Sequence, residues 1–380
     1  MSVQSIKFAD KYFGTFICFI LGLFTRKKNV SDKSNKVCFI QLWGVGETIT
    51  TLPAIRYFNE KYPKKEITII CTERVRCVYE GKDYISRIES LPLDVFGILV
   101  FVFKDYNKFG LAVDFEEYLN ISSISAWFIA KERIGYKSGV RSRLYNWNIA
   151  YNDRQHISKT HMDLLSAFGI KKEVKVLDKV HIPEVSKKSV KDILKANEIE
   201  NHLLIGLAPG AAESSKSRMW PVERFAHIAE WLIERYDAKI ILIGNDMEKD
   251  LCDELCEIVD ESKRKYVVNL AGKTSIQEAF ALIEKLDLLI SNDSGPMHIG
   301  SSLGIKTIGL FGPNLPVRFG AIGERSINIY RGYICKYSPC INVHKGQVPE
   351  CLWGKDHKNH VMCMKNITLF DVRKAVTKLL

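Results

Sequence analysis

The chain has 380 residues, enough for two or three domains of ordinary size and too many for a single small binding module. Hydrophobic residues make up 46% and charged residues 26%, with 24 Gly and 11 Pro, which excludes a disordered chain, a collagen-like repeat and a polytopic membrane protein. Lysine and arginine outnumber aspartate and glutamate by 55 to 44, and the net charge of +11 favours an anionic partner: nucleic acid, lipid headgroups or a phosphorylated substrate.

An apolar run bordered by basic residues lies near the N-terminus. Tyr12–Phe24 contains no charge over 13 positions, and Arg26, Lys27 and Lys28 follow it. As a helix the run is about 20 Å long, shorter than the ~30 Å hydrocarbon core, and no signal-peptide cleavage site follows it. Two interpretations stay open: an interfacial segment whose basic residues pair with anionic lipids of the cytoplasmic leaflet, and a helix docked on the protein itself.

The next part of the chain predicts a parallel sheet. Lys36–Leu42 and Glu66–Cys71 are apolar runs typical of buried strands, and Thr48–Lys61 between them has the pattern of a helix. Strand, helix and strand at this spacing indicate parallel pairing. A further strand, Phe109–Phe115, ends in an acidic cluster.

The same alternation of predicted strands and helices begins again at His202. The predicted strands are Leu203–Leu207, Lys239–Ile243, Tyr266–Leu270, Leu286–Ser291 and Lys306–Phe311. The predicted helices are Val222–Tyr236, Glu248–Val259, Ser275–Lys285 and Pro296–Leu303. The sequence therefore predicts an α/β protein with two consecutive doubly wound domains.

Four regions follow from these elements. We place an apolar and basic interfacial segment at residues 1–35, a first domain at 36–185, a second domain at 186–330, and a cysteine-containing tail with a final helix at 331–380. A polar linker with a helix at its end is predicted at 178–198. Ligands of doubly wound sheets bind at the carboxyl ends of the strands, so a cleft between two such domains is the expected site.

The segment Leu288–Pro313 contains the most informative loop. Its strand runs into Asp293, Ser294 and Gly295, and a proline then opens a helix. The amides of Ser294 and Gly295 thus lie at a helix N-terminus, where unpaired N–H groups and the macrodipole attract phosphate. His298, in the first turn, is near enough to touch the same ligand. The alternative is an ordinary capped helix with a packed histidine.

A second loop, Ala208–Pro221, concentrates small residues, hydroxyl groups and cations. They include Gly210, Ser214, Lys216 and Arg218. Such a set suits a pyrophosphate, because a guanidinium or ammonium group neutralises the charge that develops on a departing phosphate. A solvated turn is the alternative interpretation.

A third loop, Trp43–Pro53, places Gly44, Gly46 and Glu47 between the first strand and the first helix. Glycine permits the tight turn, and a carboxylate at a helix start ordinarily complements the helix dipole. If Glu47 faces the expected cleft, its carboxylate is placed to take a proton from an attacking hydroxyl group.

The tail contains four of the ten cysteines. Cys335, Cys340, Cys351 and Cys363 fall within 29 residues that also contain three histidines. Thiol and imidazole groups at this density can hold zinc, but no C-x-x-C pair is present and the spacings are irregular, which favours structural thiols or a disulfide pair. The sparse cysteines elsewhere fit a reducing cytoplasm.

The three loops, in this order, resemble those of glycosyltransferase family 9, the heptosyltransferases of lipopolysaccharide core assembly. The family's basic residue two positions before Trp-Pro is matched by Arg218–Pro221, and its Asp-Ser/Thr-Gly-x-x-His motif by Asp293–His298. Gly304–Pro313 resembles the glycine-rich stretch that follows. The resemblance spans residues 36–375 and is strongest in the second predicted domain.

The resemblance implies a GT-B fold, in which two Rossmann-like domains face each other across a cleft. It also implies an inverting, metal-independent transfer without a cofactor, from ADP-heptose to a lipopolysaccharide core or related glycolipid. Glu47 is then the catalytic base, and Arg218 stabilises the departing diphosphate. The implied donor-binding residues are Gly210, Ser214, Lys216, Arg218, Glu248, Asp293, Ser294, Gly295 and His298. Members commonly have Gly-Asp where this chain has Gly46 and Glu47.

Basic residues between positions 131 and 147 predict the acceptor side. Lys137, Arg141 and Arg143, together with Gly46, are the candidate acceptor-binding residues. A phosphorylated lipid sugar suits this charge, and the N-terminal segment then places the enzyme in the cytoplasm, peripherally on the inner membrane. A solvated charge run is the alternative. No recognition helix or aromatic platform for nucleic acid accompanies the cluster.

Two other functions stay open at this point. One is a GT-B transferase or epimerase that acts on another nucleotide sugar, and the other is a catalytically inert protein that binds carbohydrate or lipid phosphate. NAD-dependent oxidoreduction is disfavoured, because neither predicted domain begins with G-x-G-x-x-G after its first strand.

Overall fold

The described part of the chain forms two compact units. The computed structural model describes residues 9–27, 34–199, 202–211, 213–342, 344, 347 and 350–380. Lys28 and the side chain of Ser214 lie outside these described residues. The first unit extends to Val174, and the second comprises Lys175–Asn342 and Gln347–Leu380. The domain boundaries predicted at residues 35, 185 and 330 stay predictions.

The first unit is built on a six-stranded parallel sheet. Its strands are Lys36–Ile40 (β1), Glu66–Cys71 (β2), Arg87–Ser90 (β3), Phe109–Asp114 (β4), Ala130–Tyr136 (β5) and Trp147–Ile149 (β6). Its helices are Thr15–Gly22 (α1), Val45–Lys61 (α2), Arg76–Tyr79 (α3), Val95–Lys104 (α4), Asn120–Ile129 (α5) and Ile157–Asp163 (α6). The spatial order is β3-β2-β1-β4-β5-β6, with every neighbouring pair parallel.

The second unit repeats this plan. Its strands are Leu204–Ala208 (β7), Lys239–Leu242 (β8), Val267–Asn269 (β9), Leu288–Asn292 (β10), Thr307–Phe311 (β11) and Ser326–Tyr330 (β12). Its helices are Glu184–Ala196 (α7), Val222–Tyr236 (α8), Lys249–Ile258 (α9), Ile276–Glu284 (α10), Gly295–Leu303 (α11), Pro316–Phe319 (α12), Met362–Lys365 (α13) and Leu369–Leu379 (α14). The strand order is β12-β11-β10-β7-β8-β9, again parallel throughout.

Both sheets have the strand order of a doubly wound Rossmann-like fold. In each unit the first strand lies beside the fourth, so the connections run outward in both directions from the β1–β4 and β7–β10 pairs. The central strands β10 and β11 are fully buried, as expected when helices cover both faces of a parallel sheet. The predicted α/β fold class with two doubly wound domains is confirmed. The carboxyl ends of β7 and β10 meet at a topological switch point, where ligands of such sheets bind.

Element positions follow the apolar pattern closely where the pattern is strong. The predictions for Glu66–Cys71 and Val222–Tyr236 agree with β2 and α8 residue for residue, and the helix predicted at the end of 178–198 is α7. Strands β3, β6 and β12 were not predicted, because these outer strands are only half buried and their sequences mix polar and apolar residues. The inner strand β5 was also missed, although it is mostly buried, because three successive charged residues, Lys131–Arg133, made its sequence look like part of a basic cluster. In the first unit, helices α3 to α6 were not predicted either.

The apolar N-terminal run docks on the first unit through one face only. A π-helical turn, Asp10–Gly14, leads into α1, and the Asp10 carboxylate accepts the N–H groups of Asn120 and Ile121 at 2.9 and 2.6 Å. Cys18 on the same face is fully buried. None of the described helices combines the length and apolar composition that a bilayer span requires. The docked-helix interpretation therefore describes this face, while the other face is exposed.

Candidate active site

Asn292, the last residue of β10, fixes the loop that follows β7. Its Oδ1 accepts the Trp220 N–H at 3.0 Å, and its Nδ2 donates to the Pro209 carbonyl at 2.7 Å. Asn292 is fully buried, so water does not compete for these bonds. They hold both ends of the loop beside the carboxyl end of β10. Asn292 was not among the predicted site residues, although an amide at the end of an apolar strand is a signal that could have identified it.

Arg218 extends from this loop to the residue that follows β10. Its Nη1 lies 3.5 Å from Asp293 Oδ2, and Asn314 Nδ2 donates to the same oxygen at 2.9 Å. The buried Nε of Arg218 has no hydrogen-bond partner among the described residues. The guanidinium is therefore oriented by Asp293 and keeps donor capacity for a ligand.

The N-terminus of α11 comes directly after Asp293. Ser294 is the N-cap residue, but its side chain makes no capping hydrogen bond and its Oγ lies 3.2 Å from Ser291 Oγ. A Cβ added to Gly295 would meet no atom within 4 Å, so the space beside the first turn is open. The N–H groups of this turn and the helix dipole favour an anion there.

His298, one turn into α11, is buried and uncharged at neutral pH. Its pKa is lowered to about 4, mainly by burial; the Asp293 charge opposes this shift and the Arg218 charge contributes to it. Within the described part of the chain, His298 Nδ1 has no hydrogen-bond partner. An unpaired buried nitrogen is costly unless a ligand pairs with it, so His298 is suited to contact a bound molecule as a neutral imidazole.

Gly210 and Glu248 meet at the ends of β7 and β8. A Cβ on Gly210 would overlap the Glu248 side chain, so any other residue at this position would displace that carboxylate. Glu248 Oε2 accepts the Asn245 N–H at 2.8 Å within a capping box, and burial raises the Glu248 pKa. The Gly210 carbonyl is also 3.4 Å from Asn292 Nδ2. Asn292 therefore connects this pair to the loop that carries Arg218.

Two further loop residues differ in their surroundings. Lys216, a predicted donor-binding residue, has an exposed side chain. Ser215, which sequence analysis did not select, is fully buried, and its Oγ has no partner among the residues that the structure describes. The second unit thus brings Gly210, Arg218, Asp293 and the start of α11 to one edge of its sheet.

Glu47 lies in the first turn of α2 in the first unit. Gly44, the N-cap residue, has φ of +75°, a conformation that favours glycine. The Glu47 carboxylate folds back over this turn, since its Oε2 would lie 3.0 Å from a Cβ added to Gly44. The helix dipole stabilises a negative charge at this position. Gly46, next to it, is buried.

Glu116, just after β4, binds the backbone that leads to Glu47. Its Oε1 accepts the N–H groups of Leu42 and Trp43 at 2.5 and 3.2 Å and the Gln41 side-chain amide at 3.1 Å. Burial raises its pKa to about 8, and the charges of Asp114 and Glu47 add to the shift. Glu116 was not among the predicted site residues, although its place in an acidic cluster directly after a central strand is a signal that could have identified it.

A pH-dependence prediction follows from Glu116. Between its ordinary pKa of 4.5 and its folded value of about 8, the unfolded chain releases a proton that the folded protein keeps, so the free energy of unfolding falls as the pH rises. Glu116→Gln keeps an oxygen for both N–H groups but has no proton to release. We therefore expect the free energy of unfolding of Glu116→Gln, measured by denaturant titration, to decrease less steeply with pH over this range than that of the wild type.

The exposed Glu66 supplies the control for that measurement. Glu66→Gln should retain the wild-type dependence of the free energy of unfolding on pH, because an exposed carboxylate is surrounded by water in both the folded and the unfolded state. Equal slopes for wild type and Glu116→Gln would contradict the raised pKa of Glu116.

The predicted acceptor-binding arginines and lysine have unequal surroundings. Arg141 is 2% exposed, and its guanidinium donates to Asp114 Oδ2 at 2.8 Å and Ser122 Oγ at 2.9 Å. This buried ion pair gives Arg141 a structural role, so we remove it from the acceptor surface. Lys137 and Arg143 are exposed and stay candidates.

The four tail cysteines lie around one small cavity. Cys335, Cys340, Cys351 and Cys363 line an internal space of about 10 Å³, together with Trp353 and neighbouring residues. All four are free thiols in the structure, and burial raises the pKa of Cys340 to about 11. Among the described residues, no group of three or more His, Cys, Asp or Glu side chains is arranged to hold a metal ion.

Comparison with known proteins agrees with this geometry. A family model described as Glycosyltransferase family 9 (heptosyltransferase) matches residues 106–345. The chain belongs to glycosyltransferase family 9. Lipooligosaccharide heptosyltransferase 2 of Haemophilus ducreyi is 25% identical to it over 309 residues, which are 77% of this chain and 88% of the relative.

Solved structures show the same fold. The family 9 glycosyltransferase from Veillonella parvula has a TM-score of 0.74 at 21% identity, covering 93% of this chain and 99% of that protein. The E. coli ADP-heptose lipopolysaccharide heptosyltransferase II has a TM-score of 0.71 at 18% identity, covering 90% and 98% respectively. This family 9 glycosyltransferase therefore has a GT-B fold of two Rossmann-like domains.

Proposed function

We propose that this enzyme transfers heptose from ADP-heptose to a lipopolysaccharide core or related glycolipid, with inversion at the anomeric carbon and without a metal ion. The observation that carries the proposal is Arg218, oriented by Asp293 at the start of α11. A guanidinium and helix N–H groups together supply the positive charge that a departing diphosphate needs. The ADP-heptose named for the E. coli heptosyltransferase II supports the choice of donor.

Each donor residue has a distinct role in the proposal. Arg218 and the amides at Ser294 and Gly295 bind the diphosphate, the neutral His298 pairs through its open nitrogen with a donor oxygen, and the Glu248 carboxylate accepts hydrogen bonds from ribose hydroxyl groups. Lys216, with its exposed ammonium group, adds charge at the edge of the site. Because positive groups of the chain stabilise the leaving group, a divalent ion is not required for that step.

The acceptor side is proposed to lie in the first unit. Glu47 accepts the proton of the acceptor hydroxyl group while that oxygen attacks the anomeric carbon. The exposed Lys137 and Arg143, with the backbone at Gly46, contact a phosphorylated glycolipid. A lipid acceptor places the enzyme at the cytoplasmic surface of the inner membrane, with the exposed side of α1 against the bilayer.

A nucleotide thermal-shift experiment tests the donor assignment. A ligand that binds only the folded state raises the apparent stability, so ADP at about 100 times its Kd should raise the Tm by several degrees. UDP and GDP at the same concentration should leave the Tm nearly unchanged. A larger shift with UDP than with ADP would overturn the ADP-heptose assignment and favour another nucleotide sugar.

A further inference from the structure

Two helices of the first unit expose large apolar side chains. On the segment that contains α1, the exposed residues are Tyr12, Phe13, Phe16, Ile17, Phe19, Ile20, Leu23 and Phe24. On and just after α4 they are Val95, Phe96, Leu99, Val100, Phe103 and Tyr106. Phe96 and Phe103 are each 76% exposed, and Phe13 is 70% exposed. Monomeric soluble proteins rarely leave so many neighbouring aromatic side chains in water, which indicates an interaction surface.

Both helices pack against the same helix, α5. Phe128 of α5 packs on the cluster that contains Phe101 and Val102 of α4, and also on the cluster that contains Cys18 of α1. The Trp127 Nε1 donates to Thr25 Oγ1 at 2.9 Å, just after α1. Helices α1 and α4 therefore both lie against α5, and we call their exposed faces together the two-helix apolar surface.

Both helices are held firmly by their inner faces. Phe101 and Val102 are buried in the core, and the Asp94 carboxylate caps α4 by accepting the Gly97 N–H at 2.8 Å. In α1, the fully buried Cys18 anchors the helix. The outward side chains are consequently presented by ordered helices, not by loose chain.

Basic side chains border the surface, while nearby acidic groups are engaged. Lys11, Arg26 and Lys104 are exposed beside the apolar residues. The Arg143 guanidinium lies 4.8 Å from the centre of the Phe19 ring. Among the neighbouring carboxylates, Asp105 is buried and paired with Lys108, whereas Asp94, which caps α4, is exposed. The four basic residues outnumber this exposed carboxylate, so the border carries net positive charge, which complements anionic lipid headgroups.

We propose that the two-helix apolar surface inserts in the plane of an anionic phospholipid bilayer, with α4 as its second anchor. This inference rests on the proposed glycolipid acceptor and assigns a membrane contact to α4 as well as α1. Ten residues of α4 span about 15 Å, too short to cross a bilayer and suited to lie in its interface. Phenylalanine and leucine are typical of the inserted face of interfacial helices, and tyrosine is enriched at the headgroup level.

Vesicle sedimentation with α4 and α1 variants tests this surface. The variants are Phe96→Ser with Phe103→Ser, and Phe13→Ser with Phe16→Ser, whose side chains are all largely exposed. Phe370→Ser is the matched control, because Phe370 is 72% exposed on α14 of the second unit. With vesicles containing phosphatidylglycerol, we expect each paired variant to bind at least about tenfold more weakly than wild type and the control to bind equally well. Vesicles of phosphatidylcholine alone should bind wild type more weakly than anionic ones.

Three outcomes would overturn the proposal. Equal vesicle binding by wild type and the α4 variant would remove α4 from the membrane contact. Equal binding of wild type to anionic and neutral vesicles would show that the basic border does not contribute to the membrane contact. No vesicle binding by wild type, together with a dimer that the α4 substitutions convert to a monomer in sedimentation velocity, would identify a second copy of this chain as the occupant. The ADP thermal shift, measured on the same proteins without lipid, reports on the proposed donor site separately.

Discussion

Replacing Glu47 with glutamine should lower kcat by about 10²–10⁴-fold and leave the Kd for ADP nearly unchanged, because a positioned general base contributes roughly this factor to proton transfer. Glutamine keeps the size of the side chain and its place in the first turn of α2, but its amide cannot accept the proton of the acceptor hydroxyl group. Initial rates with saturating donor and acceptor, together with calorimetric titration of ADP, measure both quantities.

Glu47→Asp is the informative companion to that variant. Aspartate retains a carboxylate on a shorter stem, so we expect an intermediate kcat that exceeds that of Glu47→Gln. The loss of charge at the helix start costs Glu47→Gln only about 0.3–1 kcal/mol of stability, so the variant should still fold. Turnover equal to wild type in Glu47→Gln would exclude Glu47 as the base and leave it as a residue that stabilises the helix dipole.

Replacing Arg218 with alanine should weaken ADP binding and lower kcat together, with a loss in kcat of about 10²–10³-fold. Arg218 is oriented by Asp293 at 3.5 Å. In the proposed donor site its charge would meet the diphosphate both in the bound donor and during bond cleavage. Isothermal titration with ADP and single-turnover transfer rates separate the two effects.

Two further variants serve as comparisons for Arg218→Ala. Arg218→Lys keeps a positive charge but lacks the planar guanidinium that donates two parallel hydrogen bonds, so we expect its ADP binding to lie between those of Arg218→Ala and wild type. The exposed Arg235 on α8 is a control, and Arg235→Ala should behave like wild type in both measurements. If Arg218→Ala changed only the KM for the acceptor, the assignment of Arg218 to the donor would be wrong.

The central strands and the candidate anion-binding loops could be predicted because their causes are local. A buried parallel strand is nearly continuous in apolar residues, as in Ile67–Cys71, and the loop at Asp293–Gly295 combines a strand end with the start of a helix. Each of these patterns lies within a few neighbouring residues. The pattern of a single segment was therefore sufficient to locate the candidate phosphate contacts.

Long-range contacts decided the roles of several residues that looked alike in the sequence. Arg141 and Arg143 are two positions apart, but Arg141 pairs with Asp114, 27 residues away, and is buried, whereas Arg143 is exposed. Asn292 binds backbone groups 72 and 83 residues away. A sequence pattern cannot show such partners, because they are brought together only when the sheet forms.

The amino-acid sequence by itself determined the two doubly wound domains, the glycine-containing loops after their strands and the apolar character of α1. Tertiary structure alone decided which face of each apolar helix is buried, because an all-apolar segment has no polar side to mark its orientation. It also decided that Glu116 is buried against the backbone before Glu47, since burial and the neighbouring charges, not residue type, set its raised pKa.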